Sequence, residues 1–260
     1  MRSDCLSRFI REDWDTDQVR SYARKIKLIY YMNKRFKKPA RQSAMHNSLE
    51  FPRWKRRLDL VCVLLTLPFS LPLMLLMALS IKLVSKGPVL YRQERIGLRG
   101  KRFVCLKFRS MQINALTAVH ESYLVNLMKS DSPMTKLDAV GDPRVIPMGR
   151  LLRASGLDEL PQLINVLRGD MSLVGPRPCT PNELNNYEQS HTKRLLAPPG
   201  LTGYWQVNGK NRTTFREMIT LDIWYAHHMS LWLDLKIMLR TPGAIFDQIF
   251  GGHHGSQSSD

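Results

Sequence analysis

The longest feature in the hydrophobic pattern is the run at 60–81, LVCVLLTLPFSLPLMLLMALSI, which is 22 residues without a charge, closed by Asp59 and Lys82. As a helix it would be ~33 Å long, enough to cross a bilayer core. Pro68 and Pro72 fall in its middle, four residues apart. Each removes a backbone donor and crowds the preceding turn, so the pattern predicts a kink or break there. Both flanks are basic, with Arg53, Lys55, Arg56 and Arg57 before the run and Lys82 and Lys86 after it. Basic flanks favour the cytoplasmic side of a membrane. Two topologies satisfy these observations: a kinked span, or a re-entrant helix that bends at the prolines and leaves by the face it entered.

Downstream the periodicity changes. Residues 88–111 alternate around Gly97 and Gly100 and predict short strands about a turn. Residues 112–140 read as helix and then loop. Leu160, Leu163, Ile164 and Leu167 follow the i, i+3, i+4, i+7 spacing of a short buried helix face. Pro161 suits its first turn and Gly169 its stop. Residues 169–212 are rich in Gly, Pro and Asn and are expected to be largely irregular; long loops in a compact domain are usually functional. Thr214-Phe-Arg-Glu217 has the capping-box spacing that opens a helix. The segment SLWLDLKIML reads as an amphipathic helix, with Trp232 and Lys236 suited to a membrane interface and the rest equally suited to core packing. The fold class is therefore α/β, mostly helical. A tail at 249–260 is expected to be disordered.

Charge alters this picture. The net charge is +17, which calls for a polyanionic neighbour: nucleic acid, anionic lipid or a phosphorylated substrate. Between Arg20 and Arg57 there are thirteen Lys or Arg and one acid, Glu50. The arm at 1–54 is either a solvated basic stretch or a segment that lies against an anionic lipid bilayer. No helix-turn-helix, zinc-finger or RRM signature is present, so no nucleic acid partner is expected. Cys5, Cys62, Cys105 and Cys179 are scattered and read as free thiols rather than zinc ligands. The polar, charged opening MRSDCLSRFIREDWDTD does not read as a secretory signal.

The chemistry concentrates in GRLLRASGLDELPQLINVLRGDMSLVGPRP, residues 149–178. Asp158 and Glu159 fall at or just before a helix N-terminus. One reading is capping, since Asp is a favoured N-cap and Glu suits a first turn. The other is catalytic: an ionised Asp beside a phosphate site is a nucleophile toward phosphorus, with Mg2+ offsetting the charge repulsion. Arg144, Arg150, Arg153, Arg168 and Arg177 surround the pair in sequence, with Lys107 and Arg109 upstream. Arg177 is held between Pro176 and Pro178, a rigidity that suits a guanidinium forked onto phosphate. Carboxylates, fixed arginines and a membrane anchor together suggest phosphoryl transfer to or from a lipid.

These residues resemble the bacterial sugar transferases, the monotopic polyprenyl-phosphate phosphoglycosyl transferases. The resemblance runs through KRRLDL at 55–60, the frame P-x-x-x-x-Q-x-R-x-G-x-x-G-x-x-F from Pro88 to Phe103, and KFRSM at 107–111. It continues through DPR at 142–144, LDELPQLINVLRGDMSLVGPRP at 157–178 and PGLTGYWQVNGKN at 199–211. It implies a proline-broken re-entrant membrane helix at 55–87, with Leu71-Pro72 where the family has Ser-Pro. It further implies a compact cytoplasmic α-β-α catalytic domain at 88–248, with interfacial amphipathic helices. By position, Asp158 looks like the nucleophile and Glu159 like its dyad partner, either base or metal ligand, with Mg2+ at the two carboxylates. Lys107, Arg153 and Arg177 match residues placed around the substrate phosphates, and Arg109 is counted with them. The implied substrates are a UDP-sugar and undecaprenyl phosphate, with release of UMP. The implied place is the bacterial inner membrane, active site on the cytoplasmic face, at the first step of exopolysaccharide, capsule or O-antigen repeat-unit assembly. Gly156 stands where the family has Ser or Asn, with little effect expected so near a helix start. The sugar and the oligomeric state are open, a homodimer being one option.

Overall fold

The computed structural model describes residues 51–112, 117–130, 132–134, 144–209 and 212–250. The basic arm to residue 50, the tail from 251, and Asp142, Pro143, Lys210 and Asn211 of the family motifs lie outside the described residues.

The apolar run forms one helix, α1 (Arg53–Val84), which is 32 residues long and continues through both Pro68 and Pro72. The prolines therefore do not interrupt it as helix. Where no water competes for the backbone, helical hydrogen bonding is the remaining way to satisfy polar groups, so apolar surroundings tolerate proline within a helix. Among the described residues, α1 is the one helix long and apolar enough to cross a membrane. A stripe at helical spacing, Val63, Leu67, Ser70, Met74, Met77 and Ile81, is turned inward, while Leu64, Leu65, Leu75, Leu76 and Leu79 are exposed and Phe69 is 81% exposed. Both ends of α1 rest on the same body. Val63 packs with Phe103, Cys105, Leu163, Val166 and Met171. Ile81 packs with Phe108, Ile146 and Leu152.

The alternating segment forms an antiparallel pair, β1 (Leu90–Ile96) and β2 (Arg102–Phe108), with Leu90 opposite Phe108 and Ile96 opposite Arg102. The turn between them is tight, with Arg99 and Gly100 both at positive φ. Helix α2 (Thr117–Lys129) follows, then α3 (Gly149–Ser155), a 3-10 turn (Leu157–Glu159) and α4 (Gln162–Arg168). The buried face of α4 is Gln162, Leu163, Asn165 and Val166. Ile164 is half-buried and Leu167 exposed, so the apolar spacing read from sequence is rotated. Asn165 causes the rotation. Its Oδ1 accepts from the Leu106 amide at 3.0 Å and its Nδ2 donates to the Val104 carbonyl at 2.7 Å. A buried polar side chain that satisfies a strand edge outweighs one leucine left outside.

The Gly/Pro/Asn-rich segment is more regular than expected. It contains β3 (Ser172–Val174), α5 (Pro181–Asn185), a 3-10 turn (His191–Leu196), β4 (Gly200–Thr202) and α6 (Tyr204–Asn208). Strands β3 and β4 pair in parallel. Beyond them the Gly175 amide donates to the Thr202 carbonyl, and the two backbones approach so closely that a Cβ on Gly175 would lie 2.1 Å from the Pro198 oxygen. The capping box at Thr214 is present: its Oγ1 accepts from the Glu217 amide, and Glu217 accepts from the Thr214 amide. It opens α7 (Phe215–His228). The final helix, α8 (Leu231–Phe250), contains the predicted amphipathic segment. One face of that segment packs into the core, with Asp234 and Ile237 buried, while Trp232 and Leu239 on the other are more than 80% exposed.

Three buried polar ties hold the body together. Lys55 Nζ, at the head of α1, donates to Asp234 of α8 and to the Tyr225 hydroxyl of α7. Asp59 accepts from Ser172 Oγ and the Leu173 amide of β3. Arg194 pairs with Asp222 and donates to the Tyr187 hydroxyl. The described residues thus form a mostly helical α/β body with two small sheets.

Candidate active site

Asp158 and Glu159 are carried by the 3-10 turn between α3 and α4. Its conformation follows from Gly156, which ends α3 at φ 72 and reverses the chain. That geometry belongs to the left-handed region glycine enters at least cost. Gly156 is thus a helix stop as well as the residue before the turn. The N-cap positions of the turn and of α4 are Gly156 and Pro161. Neither carboxylate occupies a cap position, so capping does not explain the pair. The turn is anchored from below: Leu157 and Leu160 pack into the Ile81 cluster, and Leu160 also packs into the Val63 cluster. The leucines of the turn thus join the two apolar clusters to which Val63 and Ile81 of α1 belong.

Basic residues reach this turn from two directions. Lys107 of β2 places Nζ 2.7 Å from Glu159 Oε1, and both side chains are partly exposed. Arg177 comes from the loop after β3. Its Nη1 lies 3.4 Å from Glu183 Oε1, and its side chain remains 27% exposed. Burial, the largest single influence, would lower the Arg177 pKa, but Glu183, Tyr187 and Glu159 together hold the guanidinium raised. Burial would raise the Glu183 carboxyl, but Arg177, Arg95 and Arg194 hold it below its ordinary value. Arg95 of β1 is buried, donates to the Pro178 carbonyl at 3.0 Å, and also feels the charge of Glu159. Burial raises the Cys105 thiol, leaving it neutral beneath these charges.

The structure thus brings Glu159, Lys107 and Arg177 into one electrostatic neighbourhood, with Asp158 next to Glu159 in the same turn. Arg109 is placed elsewhere. It is 5% exposed, and its two Nη groups donate to the Lys86 and Ser85 carbonyls just past α1. Carbonyls there lack helical partners, so Arg109 secures the chain leaving α1 rather than facing the carboxylates. Arg153 lies in the last turn of α3, and its carbonyl accepts from Gln248 of α8.

Four residues escaped the sequence reading: Arg95, Glu183, Arg194 and Asp222. Arg194 donates to the Arg177 carbonyl at 2.8 Å and so fixes the backbone that presents Arg177. Glu183 was findable, because Thr180-Pro-Asn-Glu183 is a capping box with proline at its first position. Arg194 and Asp222 carry no local signal, whereas Arg95 is the arginine of the Pro88–Phe103 frame, given no role there. The two carboxylates supply hard oxygen donors beside an open, basic approach, a donor set that fits Mg2+ completed by substrate phosphate and water.

Residues 51–248 match the family described as bacterial sugar transferase. A Caulobacter vibrioides protein named UDP-glucose:undecaprenyl-phosphate glucose-1-phosphate transferase is 45% identical over 195 residues, covering 72% of this chain and 67% of that protein. The undecaprenyl-phosphate galactose phosphotransferase of Salmonella typhimurium is 39% identical over 193 residues, covering 72% of this chain and 39% of that protein. The exopolysaccharide production protein ExoY of Sinorhizobium fredii is 38% identical over 191 residues, covering 74% of this chain and 84% of that protein. The chain spans about two fifths of the length of the Salmonella, Haemophilus influenzae and Erwinia amylovora relatives it matches.

Proposed function

Because the chain belongs to the bacterial sugar transferase family, we propose that it moves a hexose-1-phosphate from a UDP-sugar to undecaprenyl phosphate. The names of the Caulobacter and Salmonella relatives support that substrate class. The observation that carries the reading is the carboxylate turn itself, whose leucines join the two apolar clusters that hold Val63 and Ile81 of the exposed apolar helix, with Lys107 paired to Glu159 and the charge of Arg177 felt nearby. A soluble sugar nucleotide and a lipid phosphate can meet only where such a site adjoins the bilayer. The return of both ends of α1 to one body supports a re-entrant topology, with the active site on the cytoplasmic face of the inner membrane. A straight span would carry its far end ~48 Å from its start and across the bilayer.

In the proposed mechanism an Asp158 carboxylate oxygen attacks the sugar-bearing phosphorus. The Oδ–P bond forms, the phosphoanhydride bond breaks, and its electron pair leaves with UMP. A phosphate oxygen of the polyprenyl phosphate then attacks the same phosphorus, and the Asp158 carboxylate is released. Lys107 orients Glu159, and Arg177 offers its exposed edge to the diphosphate. Asp158 and Glu159 would hold Mg2+, which would supply charge neutralisation at the diphosphate.

Mass spectrometry of the enzyme mixed with a UDP-sugar panel and Mg2+, without lipid, tests this reading. A hexose-phosphate adduct on the peptide containing Asp158 is expected, and Asp158→Asn should release neither UMP nor lipid product. Efficient turnover by Asp158→Asn would replace the covalent route with direct transfer.

A further inference from the structure

Helix α1 opens with four basic residues in five positions, Arg53, Lys55, Arg56 and Arg57, and its first turn contains no acid. These side chains diverge. Lys55 turns inward to Asp234. Arg56 crosses to the end of α4, where its two Nη groups donate to the Val166 and Leu167 carbonyls. Arg53 and Arg57 remain exposed. Together with Phe51 and Gly169, the three arginines line an open-sided cavity of about 400 Å³. Gly169, at φ +84, lines it beside Arg56, whose guanidinium carbon a Cβ there would meet at 3.8 Å. With Arg56 satisfied by the two α4 carbonyls, the charge open to an anion is that of the exposed Arg53 and Arg57.

A second observation defines the rest of the ligand. Residues 53, 57, 61, 64 and 65 fall on one face of a helix. Along that face Arg53 and Arg57 lead directly to Val61, Leu64 and Leu65, which are 54%, 59% and 70% exposed. From Arg57 to Leu65 is ~12 Å along the axis. The surface therefore offers an anion seat continuous with an apolar track, the form of a phosphate head joined to a hydrocarbon tail. We propose that this cavity seats the phosphodiester headgroup of an anionic phospholipid, with an acyl chain lying along Val61, Leu64 and Leu65. The proposal rests on the reading that α1 is embedded in the bilayer. The seat is distinct from the catalytic turn, because Glu159 precedes α4 and Gly169 follows it, with the 7-residue helix, ~10 Å by rise, between them. Since Arg56 grips the last carbonyls of α4, a lipid held there fixes the depth at which that helix, and the carboxylates before it, meet the membrane.

The test uses the purified full-length protein in neutral detergent micelles doped with dioleoyl-phosphatidylglycerol, dioleoyl-phosphatidylcholine or undecaprenyl phosphate. Retained lipid is counted by native mass spectrometry. One phosphatidylglycerol per chain is expected in preference to phosphatidylcholine, with retention weakened at least ~10-fold in R53A/R57A, since charge-assisted contacts are the strong ones. The matched K82A/K86A variant removes the same charge from the other end of α1 and should retain phosphatidylglycerol as the wild type does. Equal loss in K82A/K86A would mean diffuse attraction and overturn the site. Preferential retention of undecaprenyl phosphate would overturn the phospholipid assignment. Displacement by excess inorganic phosphate alone would overturn the acyl track. Flotation on pure phosphatidylcholine vesicles separates this proposal from its premise. Failure of the wild type to float would sink the membrane reading and the lipid seat together, whereas flotation without phosphatidylglycerol preference sinks only the seat.

Discussion

Replacing Asp234 by Asn should destabilise the protein far more than an ordinary helix substitution. Lys55 and Asp234 are 0% and 1% exposed at the side chain, and Lys55 has the Tyr225 hydroxyl as its other partner. An ammonium left there with only the weaker attraction of Asp59 faces most of the desolvation penalty that makes breaking a buried pair cost ~3–5 kcal/mol. For a body of this size, ~2–4 °C of Tm accompanies each kcal/mol, so a fall of roughly 6–20 °C is expected. The paired change Lys55→Met with Asp234→Leu removes both charges, and the Tyr225 hydroxyl still donates to the Val174 carbonyl at 3.2 Å. That double variant should recover most of the loss, because well-packed apolar replacements of buried pairs are often neutral. Thermal unfolding of the detergent-solubilised protein at fixed lipid content measures all three. An Asp234→Asn variant within ~2 °C of wild type, or a double variant no better than the single, would refute the claim that this pair locks α1 to α8.

Lys107→Met removes the cation 2.7 Å from Glu159 at a partly exposed site; UMP-release assays should show kcat/KM reduced ~10- to 100-fold with Tm unchanged, as charged hydrogen bonds are worth ~1.5–3 kcal/mol, and a change under about threefold would remove Lys107 from the site. Gly175→Ala drives a Cβ to 2.1 Å from the Pro198 oxygen and should yield no folded protein, whereas Gly156→Ala meets nothing within 4 Å and should lose only the ~1–2 kcal/mol of a left-handed backbone, read by thermal unfolding. Glu183 has its folded-state pKa below the unfolded one, so the folded protein binds fewer protons; this contribution to stability is present above the unfolded pKa and is lost as pH falls through the lowered folded value. Glu183→Gln should therefore flatten the loss of Tm on acidification, and an unchanged pH profile would show that its arginine partners do not stabilise the charge.

The features that could be read from sequence share one property: each is specified by neighbours in the chain. The apolar helix, the strand pair about Gly97 and Gly100, the Thr214 cap and the carboxylate pair before Pro161 all fall in that class. What could not be read depends on partners far away. Arg109 and Lys107 are two residues apart on one motif, yet one grips the end of α1 and the other reaches Glu159. Alternation in a strand puts both on the same side, and only the tertiary neighbours distinguish them. The α4 face was misjudged because periodicity counts apolar residues, and Asn165 is buried for its amide rather than its hydrophobicity. Arg194 stabilises the Arg177 backbone across 17 residues that include α5, a relation with no sequence signature.

The tie between Lys55 and Asp234 spans 179 residues, almost the whole described chain. A ribosome delivers α1 first and α8 last. During synthesis α1 therefore emerges with a lysine at its head whose α8 partner does not yet exist. Until residue 234 has been made, that ammonium lacks the carboxylate it meets in the folded body. Closing this lock thus waits on the last helix of the described residues.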